Sequence, residues 1–93
     1  MQNMLINFSK KFKKQQNKAD NKIKQALNKR IKLFLQDQFA PQLNNHALTG
    51  ELKGYRSINI TGDFRALYSE SVDKDENQII IFEMLGTHSQ LYR

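Results

Sequence analysis

Histidine is the side chain best suited to proton transfer near neutral pH, and the chain has two, His46 and His88. His88 stands in the run Thr87-His88-Ser89-Gln90, which has the Ser/Thr-x-x-Gln form of a helical capping box. This form predicts that Thr87 is the N-cap of a short helix and that His88 lies in its first turn, where the imidazole could act as a base. A histidine that only packs or caps is the commoner case, and the local pattern leaves both interpretations open.

Three further side chains have chemistry that suits a phosphate site: Asp63, Arg65 and Tyr92. A carboxylate can accept a proton, a guanidinium can neutralise a phosphate, and a phenol can donate a hydrogen bond. Each also has an ordinary structural interpretation. Asp63 is a common turn residue, Arg65 can be an exposed strand residue, and Tyr92 can cover an edge of the core.

Several other kinds of site are excluded or unsupported. The chain has no cysteine, so it has no disulfide, thiolate metal site or cysteine nucleophile. No carboxylate stands near either histidine at a metal-binding spacing, and the phosphate-loop, dinucleotide-binding and nucleophile-elbow patterns are absent. We therefore expect no metal and no cofactor.

The hydrophobic pattern predicts a protein without a membrane partner. The N-terminal stretch Met1–Phe8 has no apolar run long enough for a signal peptide, and the longest apolar run, Ile79–Phe82, is far too short to span a bilayer. Together with the missing cysteines, this favours a cytoplasmic protein.

The positive charge is concentrated in the first part of the chain. Residues 1–36 carry ten Lys or Arg residues against one acid, Asp20, a net +9; residues 37–93 carry five against eight acids, a net −3. A basic region of this kind can follow phosphates or dock an acidic protein, or can simply be the solvated surface of a helix.

These candidates must be positioned by an α+β fold. Leu5–Phe8 is typical of a short edge strand, Ser9 of an N-cap before a Lys-rich helix, and residues 19–36 of a second helix. The second helix has one apolar stripe, made of Ile23, Ala26, Leu27, Ile31, Phe34 and Leu35. Two helices in succession predict a helical hairpin.

The second half of the chain predicts strands. After an irregular stretch from Pro41 to Gly54, residues 55–60, 64–69 and 79–85 form three strand patterns, with Thr61-Gly62-Asp63 as a hairpin turn and Gly86 ending the last strand. Alternation places Tyr55, Ser57 and Asn59 on one face of the first of these strands. We expect one domain, residues 1–93, with a short N-terminal strand, a helical hairpin, a three-stranded antiparallel sheet and a short C-terminal helix.

Two segments of the chain resemble a known family. Residues 43–68, LNNHALTGELKGYRSINITGDFRALY, look like the central block of RelE-type toxins, and Gly86-Thr87-His88-Ser89-Gln90-Leu91-Tyr92 resembles the C-terminal signature of their YafQ-like branch. The match covers about half the chain residue by residue. It identifies the chain as similar to the RelE/ParE superfamily of type II toxin–antitoxin toxins.

The resemblance implies a RelE-like microbial ribonuclease fold and a metal-independent endoribonuclease, or mRNA interferase. Such a toxin cuts messenger RNA, usually in the A site of the ribosome, by attack of the RNA 2′-hydroxyl on the adjacent phosphate with general acid–base help. It also implies a cognate antitoxin that blocks the active surface, and contact with operator DNA only through that antitoxin.

The resemblance also implies roles for individual residues. His46 and His88 would share proton transfer, with His88 as acid or base, and Asp63 would act as a base or orient a histidine. Tyr92 would line the site and Arg65 would bind phosphate. Two nearby cations, Lys53 and Arg56, would add positive potential.

Two positions depart from the family pattern. Asn59 stands where YafQ-like toxins have a histidine, and asparagine can hydrogen-bond a phosphate but cannot move a proton. Met84 stands where relatives have an arginine just before the Gly-Thr-His signature. Alternatives to the nuclease therefore stay open: a ParE-like toxin that binds gyrase without cleaving RNA, or a catalytically weakened homologue that binds its antitoxin.

Overall fold

A computed structural model describes residues 4–92. Met1, Gln2, Asn3 and Arg93 lie outside the described residues, so the expectation about the stretch Met1–Phe8 falls partly outside them. No helix within residues 4–92 is both long enough and apolar enough to cross a membrane.

The two predicted helices form, each begun by a side-chain cap. Helix α1 spans Lys10–Lys18, and the Ser9 hydroxyl accepts the backbone N–H of Phe12 at 3.0 Å. Helix α2 spans Asn21–Gln36, and the Asp20 carboxylate accepts the backbone N–H of Ile23 at 3.0 Å. Ser9 was predicted as a cap from its position before the Lys-rich stretch, and the structure confirms it.

The apolar stripe of α2 is narrower than its sequence pattern predicts. Leu27 and Phe34 are buried, whereas Leu35 is 53% exposed at the end of the helix. A helix turns through 3.6 residues, so Phe34 and Leu35 point about 100° apart and only one of them can face the sheet. Leu35 therefore does not belong to the core.

The sheet has five strands, which corrects the predicted three-stranded antiparallel sheet. The strands are β1 (Met4–Phe8), β2 (His46–Ala47), β3 (Arg56–Asn59), β4 (Phe64–Val72) and β5 (Gln78–Thr87), in the spatial order β1-β5-β4-β3-β2. The pair β1–β5 is parallel and the others are antiparallel, so the sheet is mixed. β1 lies at an edge, as predicted, but the helical hairpin returns the chain so that β1 and β5 run the same way.

A short helix and two helical turns complete the chain. Helix α3 spans His88–Leu91, and single turns of 3-10 helix span Pro41–Leu43 and Gly50–Leu52. β2 and these turns lie within the stretch 41–54 that showed no periodicity. β5 runs through Gly86 to Thr87, so this glycine does not end the strand as predicted.

The core lies between the helices and one face of the sheet. Its centre is a group of fully buried rings from α1, α2, β4 and β5, namely Phe12, Phe34, Tyr68 and Phe82. Phe34 and Tyr68 meet edge to face with centroids 5.1 Å apart, and Phe34 and Phe82 do so at 5.5 Å. Ile58, Ala66 and Ile80 extend this helix-facing side of the sheet. The other side, here called the open face, is left without a helix layer from α1 or α2.

A β-bulge decides which residues of β5 reach the open face. Tyr68 pairs with Phe82 and Leu67 pairs with Met84, so Glu83 is the extra residue. The extra residue reverses the alternation: Phe82 and Leu85 face the helices, whereas Met84 pairs with Leu67 on the open face. After the bulge, the even-numbered positions of β5, Met84 and Gly86, therefore lie on the open face.

Candidate active site

The open face gathers three of the predicted site residues, His46, Asn59 and Arg65, in two cross-strand rows. Directly opposite residues of an antiparallel pair share a face. The first row is His46, Ser57, Leu67 and Met84, and the second row is Asn59, Arg65 and Gly86. Asp63 and His88 follow beyond the second row, at the end of the β4–β5 pair.

Asp63 and His88 are joined through their backbones. The His88 N–H donates to the Asp63 carbonyl oxygen at 3.1 Å, which continues the β4–β5 pairing by one step past Phe64 and Thr87. Both side chains are exposed. The fold thus brings a carboxylate and an imidazole that are 25 positions apart in sequence to neighbouring sites.

The predicted capping box holds His88 at the start of α3. The Thr87 hydroxyl accepts the Gln90 N–H at 3.2 Å, and the Gln90 side-chain oxygen accepts the Thr87 N–H at 2.8 Å. A Cβ at Gly86 would lie 2.9 Å from that Gln90 oxygen. Glycine at position 86 therefore makes room for the capping box, which is a packing role that the sequence alone did not show.

Tyr92 lies beside His88. Their ring centroids are 4.5 Å apart with planes inclined by 51°, and the Tyr92 N–H donates to the His88 carbonyl at 2.9 Å. The His88 ring thus has an aromatic neighbour four residues on. Tyr92 also lines a cleft of about 300 Å³ between α3 and the turn Gly50–Leu52.

Arg65 is held in place by hydrogen bonds from only one of its three guanidinium nitrogens. Its Nη1 donates to the carbonyls of Thr61 at 3.0 Å, Gly62 at 3.2 Å and Phe64 at 3.2 Å. Every bond of its guanidinium within residues 4–92 uses Nη1, so Nε and Nη2 face no protein acceptor there. Arg65 can close the hairpin turn and still present the N–H groups of Nε and Nη2 to an anion.

Two polar oxygens on the open face have no protein partner among the described residues: Ser57 Oγ and Asn59 Oδ1. Both are buried atoms, and buried polar atoms in folded proteins nearly always have a hydrogen-bond partner. Asn59 is directly opposite Arg65 in the β3–β4 pair, so its Oδ1 lies on the same face of the sheet as Arg65. Ser57 was not among the site residues predicted from the sequence. The sequence signal that could have identified it is its alternation with Asn59 on one face of the strand.

His46 lies at the far edge of the sheet, on the two-residue strand β2. Three strand spacings, roughly 14 Å along the sheet, separate it from the β5 position in its own row, and His88 is further along. The two histidines are therefore not in contact, and a substrate would have to lie between them. His46 Nδ1 is 2.8 Å from the Asn44 carbonyl oxygen.

Arg56 and Lys53 are not part of this arrangement. Arg56 pairs with Tyr68 and faces the helix side of the sheet, where its Nε donates to Asn45 Oδ1 at 2.8 Å and its guanidinium carbon lies 5.4 Å from the Phe39 ring centre. Arg56 was expected to add positive potential to the site, and its side chain leaves the sheet on the face opposite to that of Arg65. Lys53 is exposed in the loop after the turn Gly50–Leu52.

A wide cleft lies beside the site. It measures about 620 Å³ between α1, the end of β5 and α3, and its walls include Lys11, Lys18, Met84 and Leu91. Within residues 4–92, no group of three or more His, Cys, Asp or Glu side chains is placed to hold a metal ion.

Comparison with known proteins places this geometry in a family context. Residues 4–93 match the family model described as bacterial toxin of type II toxin-antitoxin system, YafQ. A protein of Haemophilus influenzae that carries the name toxin YafQ is 46% identical over 46 residues, 50% of this chain and 44% of the relative. The matching segment thus spans less than half the length of that curated relative.

Solved structures share the whole fold. The E. coli DinJ-YafQ toxin-antitoxin complex matches with a TM-score of 0.69 and 25% identity, covering 100% of both chains. A YoeB/ParE toxin from Agrobacterium tumefaciens matches with a TM-score of 0.73 and 20% identity, covering 91% of this chain and 99% of that chain. The second likeness concerns the fold alone.

Proposed function

The chain belongs to the YafQ family of bacterial toxins from type II toxin–antitoxin systems, and on that premise we propose that it is an endoribonuclease that cuts messenger RNA on the ribosome. The observation that carries the proposal is the junction of His88 with Asp63 and Tyr92 at the end of the β4–β5 pair. An imidazole, a carboxylate and a phenol at neighbouring backbone positions provide groups that can move protons and hold phosphate oxygens.

The proposed reaction is a transesterification within the RNA strand. The 2′-hydroxyl oxygen forms a bond to the adjacent phosphorus, and the bond from phosphorus to the 5′-oxygen of the next nucleotide breaks. A base takes the 2′-hydroxyl proton and an acid protonates the leaving 5′-oxygen, so the products are a 2′,3′-cyclic phosphate and a 5′-hydroxyl. His88 would serve as one of these groups, and His46, reached across the substrate, as the other.

The remaining residues would bind and orient the phosphate. Arg65 has two nitrogens, Nε and Nη2, free of protein acceptors among the described residues, and their N–H groups would offset the negative charge that develops on the phosphoryl oxygens. Asn59 would donate a hydrogen bond to a phosphate oxygen through its side-chain amide nitrogen, because its Oδ1 is buried. Asp63 would orient His88 or take the proton itself, and the Tyr92 ring would stack on a base or hold a phosphate oxygen.

The test is cleavage of messenger RNA on programmed ribosomes by the purified chain and by its His88→Ala variant. We expect the wild type to leave 2′,3′-cyclic phosphate ends and the variant to lose about 100-fold or more in rate, the usual contribution of an acid or base. Ser89→Ala, an exposed neighbour in the same helix, is the matched control. A wild type that leaves RNA intact while His88→Ala remains equally toxic would overturn the nuclease, and gyrase inhibition would then point to a ParE-like toxin.

We also propose that a cognate antitoxin binds and neutralises the protein, since the similar E. coli YafQ forms a toxin-antitoxin complex with DinJ. The net +9 of residues 1–36 fits an acidic segment of such an antitoxin. Coexpression with the small acidic reading frame next to this gene should yield a copurifying pair whose RNA cleavage is suppressed. Independent elution of the two chains at low salt would contradict this assignment. Operator DNA would be reached only through the antitoxin.

A further inference from the structure

Arg56, Tyr68 and Asn45 form a connected set of hydrogen bonds beside His46. Asn45 Nδ2 donates to the Tyr68 hydroxyl at 2.8 Å and to the Gln38 carbonyl at 3.0 Å, and Arg56 Nε donates to Asn45 Oδ1 at 2.8 Å. Gln38 Nε2 also donates to the Tyr68 hydroxyl at 3.0 Å. We call this set, made of Gln38, Asn45, Arg56 and Tyr68, the Asn45 clamp.

The clamp fixes the orientation of the Asn45 side chain. The Nε group of arginine only donates and a backbone carbonyl only accepts, so the amide oxygen must face Arg56 and the amide nitrogen must face Gln38. All three contacts of the amide agree with this one orientation. The clamp is anchored in the core, because Tyr68 is fully buried against Phe34 and Phe82.

The residues on both sides of Asn45 connect the clamp to His46. Asn44 ends the turn Pro41–Leu43 in the left-handed conformation, with φ 45° and ψ 48°, which asparagine tolerates better than most residues. Its carbonyl oxygen lies 2.8 Å from His46 Nδ1. Holding the Asn45 side chain therefore holds the peptide unit that presents this carbonyl to the imidazole.

The carbonyl decides which imidazole nitrogen carries the proton. A carbonyl oxygen can only accept, so Nδ1 of His46 must be the protonated nitrogen. In the neutral ring the lone pair is then on Nε2, the nitrogen that points away from the backbone. Free histidine in water prefers the opposite tautomer, so the protein has to impose this one.

We propose that the Asn45 clamp is a positioning device that sets His46 as the Nδ1–H tautomer, with Nε2 presented for proton transfer. In this role Arg56 acts through Asn45 rather than on RNA, which explains its placement on the helix-facing side of the sheet. The relevance to catalysis rests on the proposed function, but the tautomer is a property of the protein without RNA.

The experiment records the long-range ¹H–¹⁵N correlations of the imidazole rings in the full chain, without RNA, at about pH 8, where an ordinary imidazole is neutral. His46→Gln assigns the signals to His46. In the wild type we expect Nδ1 to show the shift of a protonated nitrogen and Nε2 that of an unprotonated one. A wild type dominated by the Nε2–H tautomer would overturn the inference.

Variants of the clamp then test the cause. Tyr68→Phe removes one hydroxyl and Arg56→Lys keeps the charge but loses the Nε donor; both should move His46 toward the Nε2–H tautomer. Tyr55→Phe, a half-buried tyrosine outside the clamp, is the matched control and should leave the spectrum unchanged. Folded clamp variants with the wild-type pattern would contradict the proposal.

Cleavage assays separate the inference from the proposed function. If the clamp positions His46, Arg56→Lys should lower the cleavage rate about tenfold or more and change its pH profile, although the charge is retained. If Arg56 only supplied positive potential, Arg56→Lys would be near wild type. A wild type that shows the Nδ1–H tautomer but cuts no RNA would overturn the proposed nuclease function, whereas the positioning role of the Asn45 clamp would still hold.

Discussion

The backbone N–H of His88 donates a 3.1 Å hydrogen bond to the carbonyl oxygen of Asp63. Because the bond uses main-chain atoms, it fixes where both residues leave the sheet without engaging either side chain. The carboxylate and the imidazole can therefore be altered without removing the bond that brings them together. This separation allows function and stability to be tested independently at the same two positions.

Asp63→Asn should lower RNA cleavage about 100-fold while changing the free energy of unfolding by less than about 0.5 kcal/mol, as is usual for an exposed substitution. The amide keeps the size of the side chain but removes the proton acceptor. Cleavage rates and urea unfolding of the same preparations measure the two effects. Asp75→Asn, in the exposed acidic turn, is the control, and an equal loss of rate in both variants would contradict a role for Asp63.

Gly86→Ala should destabilise the protein by about 1 kcal/mol, the usual worth of an N-terminal cap. The added methyl group would lie 2.9 Å from the Gln90 side-chain oxygen that accepts the Thr87 N–H, so the capping box has to open. Gly62→Ala is the control, since a Cβ there meets nothing within 4 Å. Equal unfolding midpoints for the two variants would show that Gly86 has no packing role.

Met84→Arg should raise the cleavage rate, by roughly tenfold if the new cation reaches the phosphate. Met84 lies in the same cross-strand row as Ser57 and Leu67 on the open face, at the position where the resemblance to RelE-type toxins leads us to expect an arginine. Met84→Leu tests for effects of packing alone. A rate that stays at the wild-type level in a stable Met84→Arg protein would indicate that the charge at this position is not limiting.

Asp73 should stabilise the turn between β4 and β5 in a pH-dependent way. Hydrogen bonds from the Asn77 backbone and side chain, and to a lesser extent from the Asp75 backbone, hold the pKa of the Asp73 carboxyl below its ordinary value of 3.8, and burial opposes them. A lowered pKa in the folded state means that the stabilisation is complete above the ordinary pKa and is lost as the pH falls through the folded pKa.

Asp73→Ala should therefore be less stable than the wild type at pH 7, with a difference that narrows below about pH 4 as the wild-type carboxylate takes up a proton. Urea unfolding at several pH values measures the difference. Asp75→Ala, which removes a neighbouring exposed carboxylate, is the matched control. A constant difference between the wild type and Asp73→Ala from pH 7 to about pH 2 would refute the assignment.

Metal removal should leave RNA cleavage unchanged, because the proposed chemistry moves protons between side chains and RNA. The chain would be treated with EDTA, freed of the chelator by gel filtration and added to programmed ribosomes beside an untreated sample. Matching rates are expected. Activity lost after EDTA and regained with an added divalent metal would require a different mechanism.

Much of the local structure could be predicted from the sequence. The Thr87–Gln90 capping box, the Ser9 cap and the alternation of Ser57 and Asn59 against Ile58 all depend on residues within four positions of one another. Such patterns reflect hydrogen bonds and periodicities that are completed locally. The same sequence patterns favoured an α+β fold, and the helices and strands agree with it.

Partners that are distant in sequence could not be predicted in this way. Arg56 carries the same charge as Arg65 and precedes it by nine positions, yet it faces Tyr68 and Asn45 on the other side of the sheet. Its cationic side chain indicated phosphate binding, whereas its role depends on what lies across the strand. The parallel pairing of β1 with β5 likewise depends on how the helical hairpin packs on the sheet.

The sequence by itself determined that His88 begins a short helix after a strand, because the groups of the capping box are near neighbours in the chain. Only the tertiary structure decided on which face of the sheet that helix begins. Simple alternation from Ile80 and Phe82 would direct positions 84, 86 and 88 toward the core, but the bulge at Glu83 reverses it and aligns Gly86 with Arg65. A bulge exists only relative to the partner strand, and so the placement of His88 beside Asp63 is a property of the folded sheet.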